Sequence, residues 1–473
     1  MDFSAANTEL WNIIIQFGII AGLGLVANIL RRKIPFVRNS LMPTAVLAGF
    51  LLLILRSLNI LRIDGSFLEI VTYHGIAIGF IAMSLRVPRA KSEDEKGNLI
   101  APKNGALIVG SYLIQGITGL VISLVLAYTV MPELFKASGI LLPMGYGQGP
   151  GQANNIGSSY EALGFAGGRS FGLSIAAAGY LCACVVGVIY INYLNRKNRI
   201  KRNFSEQGGM GTVTVDTFQD EGEIPISESI DRFSVQFALV ILVYLATFLL
   251  TWGLTSLLTS RFPGVAGTVN PLLWGFNFII GSALAMLVRT LLTKLKKHRV
   301  MTRQYQNNYL LSRISGLAFD VMIVAGIASI DIEDLSGLWL PFILMAVAGG
   351  VVTFFYLKFM CKRLYPNYFY EGFMSMYGMM TGTISSGVLL LREIDPEFST
   401  PASNNLITGS AFGILFGAPM LLLVGMAPKS DAMVLIVFGL LIVYFALLVL
   451  FMLKAKRRKK PAEVGDTPTD SPE

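Results

Sequence analysis

Long apolar runs separated by short polar bursts dominate the chain. One hydrocarbon crossing takes about 20 residues as a helix. Runs near 9–30, 41–57, 67–85, 104–131, 167–193, 233–257, 270–293, 309–330, 338–360, 401–427 and 432–454 meet or approach that length, which predicts about eleven crossings. The bursts alternate. Arg31, Arg32, Lys33 and Arg38 follow the first run, Arg86, Arg89, Lys91, Lys96 and Lys103 the third, and Arg196, Lys197, Arg199, Lys201 and Arg202 the fifth. Arg289, Lys294, Lys296, Lys297, Arg299 and Arg303 follow the seventh, Lys358, Lys362 and Arg363 the ninth, and Lys454 to Lys460 the eleventh. The even exits are poor in Lys and Arg, and one, Asp331-Ile332-Glu333-Asp334, is acidic. Basic loops stay on the cytoplasmic side. The pattern therefore predicts a multi-pass plasma-membrane protein with its N-terminus outside and its C-terminus in the cytoplasm.

Two stretches break the pattern. Leu141-Leu142-Pro143-Met144-Gly145-Tyr146-Gly147-Gln148-Gly149-Pro150-Gly151-Gln152-Ala153-Asn154-Asn155-Ile156-Gly157 is crowded with glycine, and Tyr377-Gly378-Met379-Met380-Thr381-Gly382-Thr383-Ile384-Ser385-Ser386-Gly387-Val388 joins glycine to hydroxyls. Glycine-rich apolar sequence suits tight helix crossings. It also suits re-entrant hairpins, since non-helical backbone at membrane depth must be buried in protein or line a wet cavity. Each stretch falls between the fourth and fifth run of its half, a match that favours hairpins, at about 137–162 and 368–393. An odd number of spans per half inverts the halves, as in many transporters. The expected fold is all-α. A first inverted repeat covers 1–194, a cytoplasmic linker 195–231, a second repeat 232–428, an extra transmembrane helix 429–455 and a cytoplasmic tail 456–473.

Composition agrees. The chain is 53% hydrophobic and only 14% charged, against about a quarter charged in soluble proteins. The net charge of +9 lies at the ends of apolar runs, which fits an anionic lipid surface rather than nucleic acid. Cys182, Cys184 and Cys361 sit in or beside apolar runs and imply no disulfide framework. The first residues include Asp2 and lack a basic region, so no cleavable signal is expected. With His74 and His298 as the only histidines, no HExxH motif and no GxSxG in a soluble domain, an enzyme is not expected and no cofactor beyond a coupling ion is implied.

At the two glycine-rich segments the sequence resembles the glutamate:sodium symporter family. The likeness covers the whole membrane portion. Thr381-Gly382-Thr383-Ile384-Ser385-Ser386-Gly387, followed by Leu389-Leu390-Leu391-Arg392, is the closer match; the first tip carries Gly147-Gln148-Gly149-Pro150-Gly151-Gln152-Ala153-Asn154 in place of Gly-Gly tips with histidine or asparagine. The resemblance implies sodium coupling, glutamate as the leading substrate and a homodimer.

The residue types suit that chemistry. Sodium needs a dehydrated cage of oxygens from unwound carbonyls, hydroxyls and amides. Thr381, Thr383, Ser385 and Asp320 are the expected sodium ligands. Gly149, Gly151, Gln152, Asn154, Asn155, Thr383, Ser385 and Ser386 are the expected substrate-binding residues, because short helices starting in mid-membrane aim free N–H groups and positive dipole ends at an anion. Asp320 lies mid-run in Leu317-Ala318-Phe319-Asp320-Val321-Met322-Ile323. Burying it is costly, so it serves a cation or proton site or hydrogen-bonds a neighbouring helix. His74, Gln115 and Asn277 read first as helix–helix hydrogen-bond partners, and Arg169, Arg313 and Arg392 as interfacial anchors. A proton-coupled permease using Asp320 is the nearest rival; a channel is a more distant one.

Overall fold

The structure, a computed structural model, describes residues 8–87, 99–197, 199–200, 232–275, 277–301, 303–395 and 400–454. Most of the expected linker, 201–231, and the tail from 455 lie outside the described residues. Among the described residues the regular structure is helical, and ten helices are long and apolar enough to cross a membrane. Helices satisfy their backbone groups internally, as hydrocarbon demands. The chain has the architecture of a polytopic membrane protein.

The helices are α1 (Thr8–Lys33), α2 (Pro35–Asn39), α3 (Thr44–Ser57), α4 (Gly65–Leu85), α5 (Ile100–Thr129), α6 (Leu141–Tyr146), α7 (Pro150–Glu161), α8 (Gly168–Arg196), α9 (Arg232–Arg261), α10 (Pro263–Gly275), α11 (Asn277–Lys297), α12 (Asn308–Ala328), α13 (Trp339–Leu364), α14 (Phe369–Thr381), α15 (Ile384–Arg392), α16 (Ala402–Met426) and α17 (Asp431–Leu453). Local signals set several ends. Asn307 caps α12 by accepting from the Leu310 N–H at 2.8 Å, and Ser430 caps α17 through Met433 N–H at 3.2 Å. Such caps satisfy amides that a helix start leaves unpaired. The apolar run 41–57 is shorter than expected: Pro43 precedes the 14 residues of α3, and the chain then turns through Asn59 at φ +56°. The expected run 270–293 is divided between α10 and α11.

Burial sorts the helices into inner and outer sets. The most apolar windows of α5 and α8 are 61% buried inside the protein, those of α9 and α17 22% and that of α1 17%. The outer helices therefore turn leucine, isoleucine and phenylalanine outward, which only hydrocarbon solvates well. At the centre α4 packs on α12; α4 also packs on α11, and α12 correspondingly on α3. α5 packs on α13, α16 and α17. The crossings are close. A methyl added to Gly79 would stand 2.5 Å from the Phe319 ring, and one on Gly119 2.0 Å from the Gly139 carbonyl oxygen. Glycine here permits backbone approach that any side chain would prevent.

Two short helix pairs, α6–α7 and α14–α15, pack against α8 within this frame. Both are less unwound than the glycine content suggests. Gly147, Gln148 and Gly149 alone separate α6 from α7, and Gly382 and Thr383 alone separate α14 from α15. Gly151, Gln152, Asn154 and Asn155 are therefore helical, not part of a loop. Pro150 at the first helical position explains the early start, because its fixed φ suits a helix and its missing N–H goes unneeded there. Several glycines serve contact instead: Gly157 abuts the backbone of Gly168 and Arg169, and Gly378 that of Gly387.

Candidate substrate and ion site

The two breaks meet. Gly149 has φ +85° and ψ −175°, a conformation nearly confined to glycine. A methyl placed there would lie 3.7 Å from Thr383 Cγ2, 3.7 Å from Tyr180 Oη and 3.9 Å from the Gly382 carbonyl oxygen. Gly382 in turn abuts the Tyr180 ring and Ser386 Oγ. The start of α7, the start of α15 and mid-α8 thus share one spot.

That spot offers both signs of partial charge. The Ala153 N–H closes on Gly149 O at 3.2 Å and the Gly387 N–H on Thr383 O at 3.1 Å. The amides preceding each of these have no intrahelical acceptor, and the helix dipole adds positive potential at both starts. The Gly382 carbonyl, beyond the C-terminal end of α14, supplies an acceptor beside them.

Unpartnered side-chain atoms gather around the same tips. Both amide atoms of Gln152, Asn154 Oδ1, Thr383 Oγ1, Ser386 Oγ and Tyr180 Oη are buried and make no hydrogen bond. Gln152 and Asn154 are each 1% exposed. A buried polar group without a partner costs about 1–3 kcal/mol, so such a cluster is what a site for polar ligands would leave. The Thr383 and Tyr180 hydroxyls are near enough to act on each other and meet no other partner. Thr381 differs: its hydroxyl donates to Tyr377 O at 2.7 Å within α14, leaving only its lone pairs for an ion. The side chain of Ser385 lies outside the described residues. Asn155 turns away from the tips, donating to Gly275 O of α10 at 2.8 Å, with its Oδ1 unpartnered. Gly151, the second residue of α7, lies against Ile76 and Met322.

Asp320 stands beside this assembly. Its carboxylate acts electrostatically on Tyr180, and no hydrogen bond or ion pair to it is found among the described residues. Exposure along α12 changes at this point. Arg313, Gly316, Leu317 and Asp320 are exposed, whereas every residue from Met322 to Ala328 is buried.

The other polar residues of the runs fall elsewhere. His74 Nδ1 meets Tyr244 Oη at 2.5 Å, Asn277 donates to Tyr73 Oη at 2.8 Å and Tyr73 to Trp274 O at 2.8 Å. These contacts join α4, α9, α10 and α11. Arg169 forms a 2.7 Å ion pair with Glu69, Arg313 lies over the Tyr309 ring, and Arg392 ends α15. Gln115 does more than pack. It is fully buried, and its Nε2 donates to Met380 O and to Thr353 Oγ1, both at 2.9 Å. Its unpartnered Oε1 lies 2.9 Å from where a Gly147 side chain would begin. One residue of α5 thereby reaches both the first break and the last turn of α14, just before the second. Gln115 stood out in the sequence as a polar residue in an apolar run; Tyr180, among 17 tyrosines, carried no such mark. No protein-family model matches the chain, and no curated protein matches it.

Proposed function

We propose that the chain is a sodium-coupled secondary transporter of a small anionic substrate, with glutamate the first to test. One observation carries this reading: two helix starts, at Gly149–Pro150 and Thr383–Ile384, converge on a spot ringed by unpartnered buried polar atoms. Converging N-termini favour an anion without an intramembrane arginine. The Gly382 carbonyl and the Thr381 and Thr383 hydroxyls, with Asp320 nearby, are oxygen donors of the kind sodium takes. Gln152, Asn154, Ser386 and the first-turn amides of α7 and α15 would hold the substrate; the backbone of Ser385 belongs to that turn.

The finer architecture belongs to the same proposal. α6–α7 and α14–α15 would be re-entrant hairpins entering from opposite faces, within two inverted five-span repeats followed by α17. The reciprocal packing of α4 on α11 and α12 on α3 supports a repeat. Alternating access would move the hairpin-bearing body against the remaining spans. The resemblance to glutamate:sodium symporters extends the proposal to a homodimer in the plasma membrane.

Purified protein in liposomes tests it. Radiolabelled glutamate should accumulate when sodium is supplied outside, and a panel of amino and dicarboxylic acids should rank by competition. Absence of sodium-stimulated uptake for every member would sink the reading. A second reading rests on Asp320, a carboxylate midway along α12 with no hydrogen bond or ion pair among the described residues: proton coupling through that group. Uptake driven by a pH gradient without sodium, and abolished in Asp320→Asn, would favour it.

A further inference from the structure

Two packed bodies meet along α7. α1, α3, α4 and α9–α12 pack on one another as a scaffold, and α5–α8 pack with α13–α17 as the hairpin-bearing body. α14 and α15 pack on α5, α8, α13 and α16 of their own body, whereas α7 packs on α4, α10 and α12 of the scaffold. The residues of α7 that do so recur at helical spacing, on one face. Gly151 lies against Ile76 and Met322, Asn155 donates to Gly275 O at 2.8 Å, and Ser158 donates to Glu69 Oε1 at 3.3 Å. Contact therefore runs from the tip to the last turn of α7.

Two polar contacts continue the junction onto the start of α8. Arg169 pairs with Glu69 of α4 at 2.7 Å. Ser170, fully buried, accepts the Asp331 N–H at 3.1 Å and donates to Asp334 Oδ2 at 2.8 Å. Arg56 of α3 holds the end of α12 just before Asp331, donating to Ala328 O at 3.0 Å; Ser170 thus ties a scaffold end to α8. The Arg169–Glu69 pair is part-exposed, its side chains at 23% and 38%, and Arg169 Nε is buried without a partner. An ion pair so placed exchanges readily for water, so it can hold one arrangement of the bodies without locking it. We infer that Arg169–Glu69 and the Ser170 bonds form a clasp that shuts the path to the tips on the side where α7 ends, and that opening toward that side breaks both. The inference rests on the transport reading above, in which the two bodies move against each other.

Pulsed EPR distances in the full chain, reconstituted in liposomes, test it. Spin labels go on Ile60→Cys, after α3, and Leu163→Cys, between α7 and α8, both exposed positions, with Cys182, Cys184 and Cys361 replaced by alanine. The parent should show mainly the short distance. Glu69→Gln, Arg169→Gln and the two together should each raise the ratio of long to short by the same factor, on the order of fivefold, because partners in one contact do not add. Ser170→Ala should raise the ratio by itself and further in combination. Asp431→Asn, which breaks the Lys136–Asp431 ion pair inside the hairpin-bearing body, should leave it unchanged. Glutamine keeps the size of Glu69 at a part-exposed position, so the thermal midpoint should stay near that of the parent. Unchanged ratios in the Glu69, Arg169 and Ser170 variants overturn the clasp, and so does an equal shift in Asp431→Asn. The distances need no substrate. Ratios that respond while sodium-driven uptake is absent keep the clasp and remove the sodium-symport reading; uptake with unresponsive ratios removes the clasp alone.

Discussion

Gly149 and Thr383 lie in opposite halves of the chain, yet a methyl on the first would stand 3.7 Å from Cγ2 of the second. The space would admit alanine; the backbone would not. At φ +85° and ψ −175° a side chain pays about 1–3 kcal/mol of strain. Gly149→Ala should lower the thermal midpoint of the purified protein and reduce sodium-driven uptake together, since strain there tilts the start of α7. Gly24→Ala, in α1 with nothing within 4 Å, should leave both unchanged. Equal behaviour of the two variants would show that the Gly149 backbone is not what shapes the tip.

The Thr383 hydroxyl separates a ligand group from a structural one. It is buried with the Tyr180 hydroxyl as its neighbour, so Thr383→Val should cost no more than about 1 kcal/mol of stability. Transport should fall at least tenfold. Stabilisation by substrate and sodium should fall with it, from about 2.7 kcal/mol at one hundred times Kd toward zero. A thermal-shift titration reads the second effect directly. A variant less stable than wild type, with an unchanged ligand-induced shift, would assign the hydroxyl to packing.

Much of this arrangement was legible in the residues before any coordinates. Hydropathy located the crossing helices, because helix length is tied to hydrocarbon thickness. Glycine and proline marked both breaks. What the pattern could not give was how short the breaks are. Glycine signals permission for an unusual backbone or for a close neighbour, and sequence does not tell the two apart. Gly149 is the first kind; Gly157 and Gly378 are the second. Tyr180 and Gln115 were hidden for a related reason. Their importance comes from helices that pack beside them, and nothing local in α8 or α5 reports those neighbours. The split of the run 270–293 and the short α3 show the same limit at helix ends.

The glycines that bring backbones together can be tested apart from function. A methyl on Gly119 would meet the backbone of Gly139 at 2.0 Å, and backbone cannot step aside as a flexible side chain can. Overpacking of this kind costs about 1–3 kcal/mol or more. Gly119→Ala should lower the thermal midpoint markedly and separate α5 from the segment leading into α6. Gly439→Ala in α17, with nothing within 4 Å, should be neutral or slightly stabilising through helix propensity. Similar midpoints for the two would contradict the close crossing.

Gln115 gives the sharpest contrast between stability and transport, because one side chain reaches the first break and the last turn of α14. Its Nε2 hydrogen bonds to Met380 O and Thr353 Oγ1 hold the end of α14 against α5 and α13. Gln115→Leu keeps the bulk and leaves the Met380 carbonyl without that donor in a fully buried place, at a cost of about 1–3 kcal/mol. Gln115→Glu carries no Nε2 and brings charge to the tips. Both variants should lose stability. If the Oε1 beside Gly147 serves only the fold, the two should also lose transport in proportion to stability. If it joins the sodium cage, Gln115→Glu should retain uptake with an altered apparent sodium affinity, while Gln115→Leu should lose sodium dependence. Sodium titrations of uptake, compared with thermal midpoints of the same preparations, tell these apart.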